Sequence, residues 1–439
     1  MKDTTVTCGT SKRAIFFISG SAGELDWVLP ILDFLLNKNF NLKIIFLTRH
    51  ALKSVKQNRM CNDFITQSNP KIEILECGGY FPEKIEFISY LTYRIFLKLR
   101  LDQIYIVKQF YSLYDRIFKI FFLRNLPSEI LNLRNEKHLF IMEYPSLRRP
   151  RDKWIKQNFK NSIFFYCPHS PHIYCKELDK KYGEGELDFK KNSFLLLGHP
   201  GDYQSINDDK ELADEGLQKV YIGHPKYSNR WLSDLQIAAK KFRSEFSLRE
   251  KTSILILSRG FGSYLDESSH KKMVETTLEV INKTLPTNKI LVKKHPRENP
   301  SYWNEILDNN SSVEIVNEHI LQLATKADFV ISFWGSGAMD CFSMGLPVIE
   351  YWNPDTHYKD QVAEGSGYTT IYRKLGIVLP ANNAEELKKR INFLVSNNHE
   401  FNIKEYHPFF DELLSRSNSW DKTIKRILET HKLIDRNNL

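Results

Sequence analysis

An α/β protein built from two facing, doubly wound domains is the fold class this sequence predicts, and three observations carry the prediction. A short apolar run, Ala14–Ser19 (AIFFIS), stops at Gly20-Ser21-Ala22-Gly23, and Leu25, Val28, Leu29, Leu32, Leu35 and Leu36 follow at helical spacing. This reads as strand, glycine turn, helix. The same order starts again at Ser253–Leu257 (SILIL), which ends in Ser258-Arg259-Gly260-Phe261-Gly262-Ser263 ahead of an amphipathic stretch over 269–283. A length of 439 residues also suits more than one core, because domains typically run to ~100–200 residues.

The remaining elements follow in alternation. β-like runs stand at Leu42–Leu47, Ile72–Leu75, His138–Met142, Ile163–Tyr166, Phe194–Leu197 and Val220–Ile222, separated by longer helical or loop stretches. In the second half, strands are expected at Lys289–Val292, Val313–Val316, Phe329–Ser332, Pro347–Tyr351 and Gly376–Leu379. Helices are expected at Ile320–Ala327, from Gly337 onward, at Ala384–Val395 and around Trp420–Ile434. Such alternation predicts parallel sheets with helices on both faces. The halves divide near 224–250, giving an acceptor-binding Rossmann-like domain at 1–240, a nucleotide-sugar-type Rossmann-like domain at 241–412, and a terminal helix at 413–439 expected to pack back on the first domain. A cleft is expected between the carboxyl ends of the two sheets, where open α/β folds bind ligands.

Hydrophobic residues form 42% of the chain and charged residues 26%, which excludes a disordered or low-complexity protein. Lys and Arg number 62 against 53 Asp and Glu, a net charge of +9 that suits an anionic partner: phosphate, acidic glycan, membrane surface or nucleic acid. Cys8, Cys61, Cys77, Cys167, Cys175 and Cys341 include no CxxC pair, so reduced thiols are expected rather than a zinc site or disulfide framework. The opening MKDTTVTCGTSKR lacks an apolar signal region, and no apolar run reaches the ~18 residues of a membrane span. A cytoplasmic protein, peripheral to a membrane at most, is the expectation.

Four strand ends carry groups suited to chemistry. Gly20, Ser21 and Gly23 surround a turn whose helix begins with Glu24, a carboxylate placed to act as a general base on the acceptor side or, more plainly, to complement the helix dipole. Arg259 with Gly260 and Gly262 offers a guanidinium and backbone amides to a phosphate, unless the glycines only shape a loop. Lys294, His295 and Pro296 close another strand, with Lys293 and Arg297 beside them. An imidazole among cations suits a phosphate leaving group, although a lone histidine in a charged loop is usually inert. The loop Ser332-Phe333-Trp334-Gly335-Ser336-Gly337 leads into a helix bearing Asp340. Its amides and the Ser336 hydroxyl suit phosphate, and Asp340 suits ribose hydroxyls or simply the helix dipole.

Together, SGSAGE before a leucine-rich helix, KKHPRE, and ADFVISFWGSGAMDCFSMGLPVIEY resemble bacterial glycosyltransferases of the two-Rossmann (GT-B) type. Ser21-Ala22-Gly23-Glu24 is similar to the first-turn element of Kdo transferases, and His295-Pro296 to the HP motif of Kdo- and sialyltransferases of surface polysaccharide synthesis. The resemblance implies Glu24 as base, His295 on the phosphate of a CMP-sugar, and Ser336 in a phosphate loop. A single serine stands between glycines where those families pair two. Implied are a nucleotide-sugar donor, a saccharide or lipid-linked acceptor, no nucleic acid, and neither metal nor other cofactor, since cationic groups would neutralise the leaving phosphate. A related alternative is a UDP-N-acetylglucosamine 2-epimerase-like isomerase, or a UDP-sugar-dependent transferase, although the epimerases' first-turn Arg-Pro-Glu is absent.

Residues 81–126 interleave twelve Phe or Tyr with eight Lys or Arg. Such a pattern serves an interfacial helix at the inner membrane or an ordinary core-facing one. Arg148 and Arg149, in a basic stretch, and His169, after the strand at 163–166, are further acceptor-side candidates.

Overall fold

The structure is a computed structural model that describes residues 12–77, 128–144, 150–168, 185–202, 216–245, 249–260, 265–295, 311–353, 369–397 and 407–435, with scattered positions between them. Two parallel sheets organise it. The first runs β1 (Arg13–Ile18), β2 (Asn41–Phe46), β3 (Ile72–Glu76), β4 (Leu139–Glu143), β5 (Ile163–Cys167), β6 (Ser193–Leu197) and β7 (Gln218–Tyr221), in spatial order β3-β2-β1-β4-β5-β6-β7. The second comprises β8 (Thr252–Leu257), β9 (Asn288–Lys293), β10 (Val313–Ile315), β11 (Phe329–Ser332), β12 (Val348–Tyr351) and β13 (Leu379–Ala381), in order β10-β9-β8-β11-β12-β13. In both sheets the winding reverses beside the first strand, between β1 and β4 and between β8 and β11. Doubly wound sheets form their ligand crevice at that reversal.

Sequence pattern explains these strands. β5 and β6 are buried along their whole length, as uninterrupted apolar runs in a sheet covered on both faces should be. One apolar layer packs α1 (Ala22–Asn37), α2 (Arg49–Gln57) and α3 (Arg59–Thr66) on the first sheet through Leu25, Leu32, Val55 and Ile65. The opposite face carries α4 (Ser128–Leu131) and α5 (Pro150–Asn158), with Ile130, Trp154 and Ile155 against Phe140 and Phe164.

A 3₁₀ turn at Pro225–Tyr227 and α6 (Asn229–Ser244) connect the halves. The second sheet is covered by α7 (Glu267–Thr284), α8 (Ile320–Ala324), α9 (Gly337–Ser343), α10 (Ile371–Lys374) and α11 (Ala384–Ser396). Then α12 (Pro408–Ser417) places Phe409, Phe410 and Leu413 in the apolar cluster of the second half, and α13 (Trp420–Thr430) places Trp420, Ile424, Ile427 and Leu428 in that of the first. Phe34 and Trp420 meet edge-on with ring centres 5.5 Å apart.

Two elements differ from the sequence expectation. β13 starts at Leu379, later than the predicted Gly376, because Gly376 has φ +75° and closes α10 instead of extending a strand. The last helix stops at Thr430, short of Ile434, where Lys432 turns into the left-handed region at φ +57°.

Candidate active site

The first reversal point is acidic. Ser21 caps α1, accepting from the Gly23 amide at 3.3 Å, and Glu24 closes a capping box. The Glu24 carboxylate is 5% exposed and accepts backbone N–H bonds from Ser19 at 2.9 Å, from Gly20, and from Ser21 at 3.2 Å. Gly20 has a steric reason: a Cβ there would lie 2.7 Å from Glu24 Oε1. The dipole-and-cap reading of Glu24 therefore has a physical basis.

A second carboxylate shares the place. Glu143, the last residue of β4, takes the Ser19 hydroxyl at 3.3 Å, and the same hydroxyl lies 3.4 Å from Glu24 Oε2. Burial pushes the Glu24 carboxyl up, the Glu143 charge pushes it further, and the three amides pull only partly back. A raised carboxyl beside a second acid is an arrangement that suits proton transfer. Sequence reading missed Glu143; the available signal was an acid ending the otherwise apolar central strand LFIME.

The second reversal point is cationic. Arg259, just past β8, donates to the Trp334 carbonyl and lays its guanidinium 4.3 Å from the centre of the Trp334 ring. Trp334 has φ +54°, an unusual backbone state for a bulky residue. Gly335 has open space where a Cβ would stand, with only the Arg259 guanidinium at 4.0 Å, so packing does not demand a glycine there. At Gly337 a Cβ would meet the methyl ends of Leu257 at 2.9 Å and Ile320 at 3.0 Å, so a side chain there would need both to shift. Ser336 is exposed and occupies the N-cap of α9 without its hydroxyl serving the helix. Behind it the Ser332 hydroxyl is buried with no hydrogen-bond partner among the described residues.

Other predicted residues have different surroundings. Asp340, expected beside ribose, is 5% exposed and takes Lys226 at 2.8 Å and the Tyr227 hydroxyl at 2.9 Å. The carboxylate expected to meet ribose is thus engaged in an ion pair. Lys293 donates to the Asn317 carbonyl at 2.9 Å. Lys294 and His295 are half-buried at the end of β9, and Gly260 is buried after β8. Gly262, Pro296, Arg297, His169, Arg148, Arg149 and nearly all of 81–126 lie outside the described residues.

Lys226 also ties the halves together. Its ammonium is 3% exposed and reaches Asp26 of α1 at 2.9 Å, while Asp26 takes His319, the N-cap of α8, at 2.7 Å. The Lys226 ammonium stands 4.7 Å from the Trp27 ring centre. Burial opposes both charges, yet the pairing prevails: Asp26 falls below and Lys226 rises above its ordinary pKa. Asp26, Lys226, Asp340 and His319 thus form one largely buried network joining the two halves.

No protein-family model and no curated protein matches the chain. Solved structures do resemble it. A Listeria monocytogenes protein assigned as a UDP-N-acetylglucosamine 2-epimerase superposes with a TM-score of 0.50 at 12% identity, covering 97% of this chain and 98% of that one. The UDP-GlcNAc 2-epimerase of Methanocaldococcus jannaschii gives 0.49 at 15% identity over 94% and 98%, and a glycosyltransferase of Rickettsia africae 0.44 at 13% over 96% and 99%. At these identities the likeness is one of fold. The chain is an α/β protein of two Rossmann-like domains in the GT-B arrangement.

Proposed function

We propose that the protein is a glycosyltransferase that moves a sugar from a nucleotide-sugar donor to a glycan or glycolipid acceptor. The observation that carries this reading is the opposite charge of the two reversal points, carboxylates at one and an arginine with a glycine-serine loop at the other. Glu24, seconded by Glu143, removes a proton from an acceptor hydroxyl. The alkoxide oxygen forms a bond to the anomeric carbon as the bond to the nucleotide phosphate breaks. The electron pair leaves on the phosphate, where Arg259, His295 and the amides at Ser336 and Gly337 stabilise the charge.

A CMP-linked Kdo- or sialic-acid-like donor is the first to test, on the strength of the His295-Pro296 and Ser21-to-Glu24 motifs. A surface polysaccharide or lipopolysaccharide acceptor fits the basic stretches at 81–126 and 148–160. No helix among the described residues is long and apolar enough to cross a membrane, and contact with the inner membrane surface would run through those stretches.

A thermal-shift screen of CMP, CDP, UDP and GDP tests the reading. A nucleotide at ~100 times its Kd should stabilise the fold by about 2.7 kcal/mol. CMP preference supports the Kdo- or sialic-acid-like donor, UDP preference replaces it, and no response to any of them removes the proposal. The carboxylate pair also favours a second reading, a nucleotide-sugar 2-epimerase, in which two acids exchange a proton at carbon. Incubation with UDP-N-acetylglucosamine without acceptor separates the two, because only an epimerase would yield the manno epimer.

A further inference from the structure

Behind the cationic strand ends of the second half lies a buried polar network that the transfer chemistry does not itself touch. Glu298, on the turn after β9, accepts the His295 backbone N–H at 2.5 Å and the Trp303 indole N–H at 2.5 Å. It also takes a hydrogen bond from Ser258, the residue between β8 and Arg259. Ser258 Oγ is 3.0 Å from Nε2 of His270, which is 2% exposed on α7, and that nitrogen is 3.8 Å from Glu298. Burial drives the His270 imidazole down to about 4, so the ring is neutral and carries a single N–H.

Burial raises the Glu298 carboxyl and its hydrogen-bond donors pull it back; with Glu298 ionised, these contacts allow one direction for the protons. Ser258 has one hydroxyl hydrogen, and giving it to Glu298 leaves its oxygen to accept from His270 Nε2–H. The chain runs His270 to Ser258 to Glu298, and the Glu298 carboxylate gathers donors from the ends of two strands. The surroundings are apolar, with Ile256, Val274, Val292 and Trp303 in one cluster. A buried charge there is a weak device for stability, because an apolar side chain of similar volume would serve as well or better. What a carboxylate adds is direction: it fixes the backbone of His295 and, through Ser258, the strand end that presents Arg259.

We propose that Glu298 is a positioning residue of the donor site, setting the two cationic loops at His295 and Arg259 relative to one another through a single carboxylate. The inference rests on the glycosyltransferase reading for its consequence but not for its geometry, and two measurements keep them apart. Glu298→Gln preserves shape and removes the charge. Hydrogen–deuterium exchange of the peptide spanning 291–297 should quicken at least tenfold at the His295 amide, whatever the protein's activity. In calorimetry with CMP and with UDP as probes, Kd should rise about tenfold in Glu298→Gln. In turnover, donor KM should rise by more than kcat falls.

Ser258→Ala cuts only the arm toward Arg259 and provides the test if Glu298→Gln fails to fold. It should raise Kd several-fold with the His295 amide little changed, and Ser258→Thr should restore it. Unaltered exchange in Glu298→Gln, or unaltered nucleotide Kd in a folded Ser258→Ala, would overturn the positioning role. If the wild-type chain binds neither CMP nor UDP, the transferase reading falls, and the exchange measurement alone decides whether Glu298 clamps the loop.

Discussion

The two sheets share one winding order, yet their reversal points carry opposite chemistry. Beside β1 and β4 the chain gathers Glu24 and Glu143 around the Ser19 hydroxyl. Beside β8 and β11 it places Arg259 over Trp334, next to a glycine-serine loop. The topology supplies two equivalent reversal points, and the residues at the strand ends decide what each can hold. One can accept a proton and the other can hold an anion, a division of labour that displacement at a sugar carbon requires.

The sharpest way to break this contrast is Glu24→Gln, which keeps the size of the side chain and one acceptor oxygen. Loss of a general base should lower kcat by about 10²–10⁴-fold with CMP or UDP affinity unchanged. A cap function alone would appear differently, as a loss on the order of 1 kcal/mol of stability with turnover intact. Steady-state kinetics beside a thermal melt separates the two, and retained turnover would end the base assignment.

Next in size is the join between the halves. Lys226→Met leaves Asp26 and Asp340 facing each other without their shared cation. Removing one partner of a buried ion network typically costs about 3–5 kcal/mol, to be read from urea denaturation. The triple variant Lys226→Met, Asp26→Asn, Asp340→Asn should recover much of that loss, since no charge is then stranded. A triple variant as unstable as the single one would mean that the lysine stem, packed on Trp27, matters more than the charges.

How far the sequence disclosed this arrangement depends on the range of the interaction. Strand, glycine turn and helix are local patterns, and the run from Ala14 to Leu36 announces them without help from distant residues. The strand-end location of Arg259 and His295 follows from the same periodicity. Glu143 carried only a weak local sign, an acid closing an apolar strand, because the parallel pairing of β4 with β1 is what brings it to Ser19. Asp340 shows the same limit: one turn into a helix it reads as a ribose contact, and its pairing with Lys226, far away in the chain, has no local sign. The side-chain ends of Leu257 and Ile320 that crowd the Cβ position of Gly337 come from other elements of the chain, so nothing local announced them.

A smaller effect is expected at the cationic point. Arg259→Met should weaken CDP or UDP binding by about 10–150-fold, from the ~1.5–3 kcal/mol of a hydrogen bond to a charged group. Arg259→Lys should restore only part, because the guanidinium also stacks on Trp334. Equal binding of CDP by wild type and Arg259→Met would place the phosphate elsewhere and dissolve the contrast between the halves.

The smallest effect is the most discriminating, since it asks which carboxylate titrates. Burial first and the Glu143 charge second raise the Glu24 carboxyl above its ordinary value. Glu24 acts as base only when ionised, so activity should fall as pH drops through that raised pKa. Glu143→Gln removes the repelling charge, lowers the Glu24 pKa, and should move the acid limb of the kcat/KM profile to lower pH. At pH values on the original limb the variant should therefore be faster than wild type. On the plateau it should be slightly slower, because a less basic carboxylate is a weaker proton acceptor. A collapse of rate at every pH would instead make Glu143 the base and leave Glu24 as the cap that holds Ser19 against it.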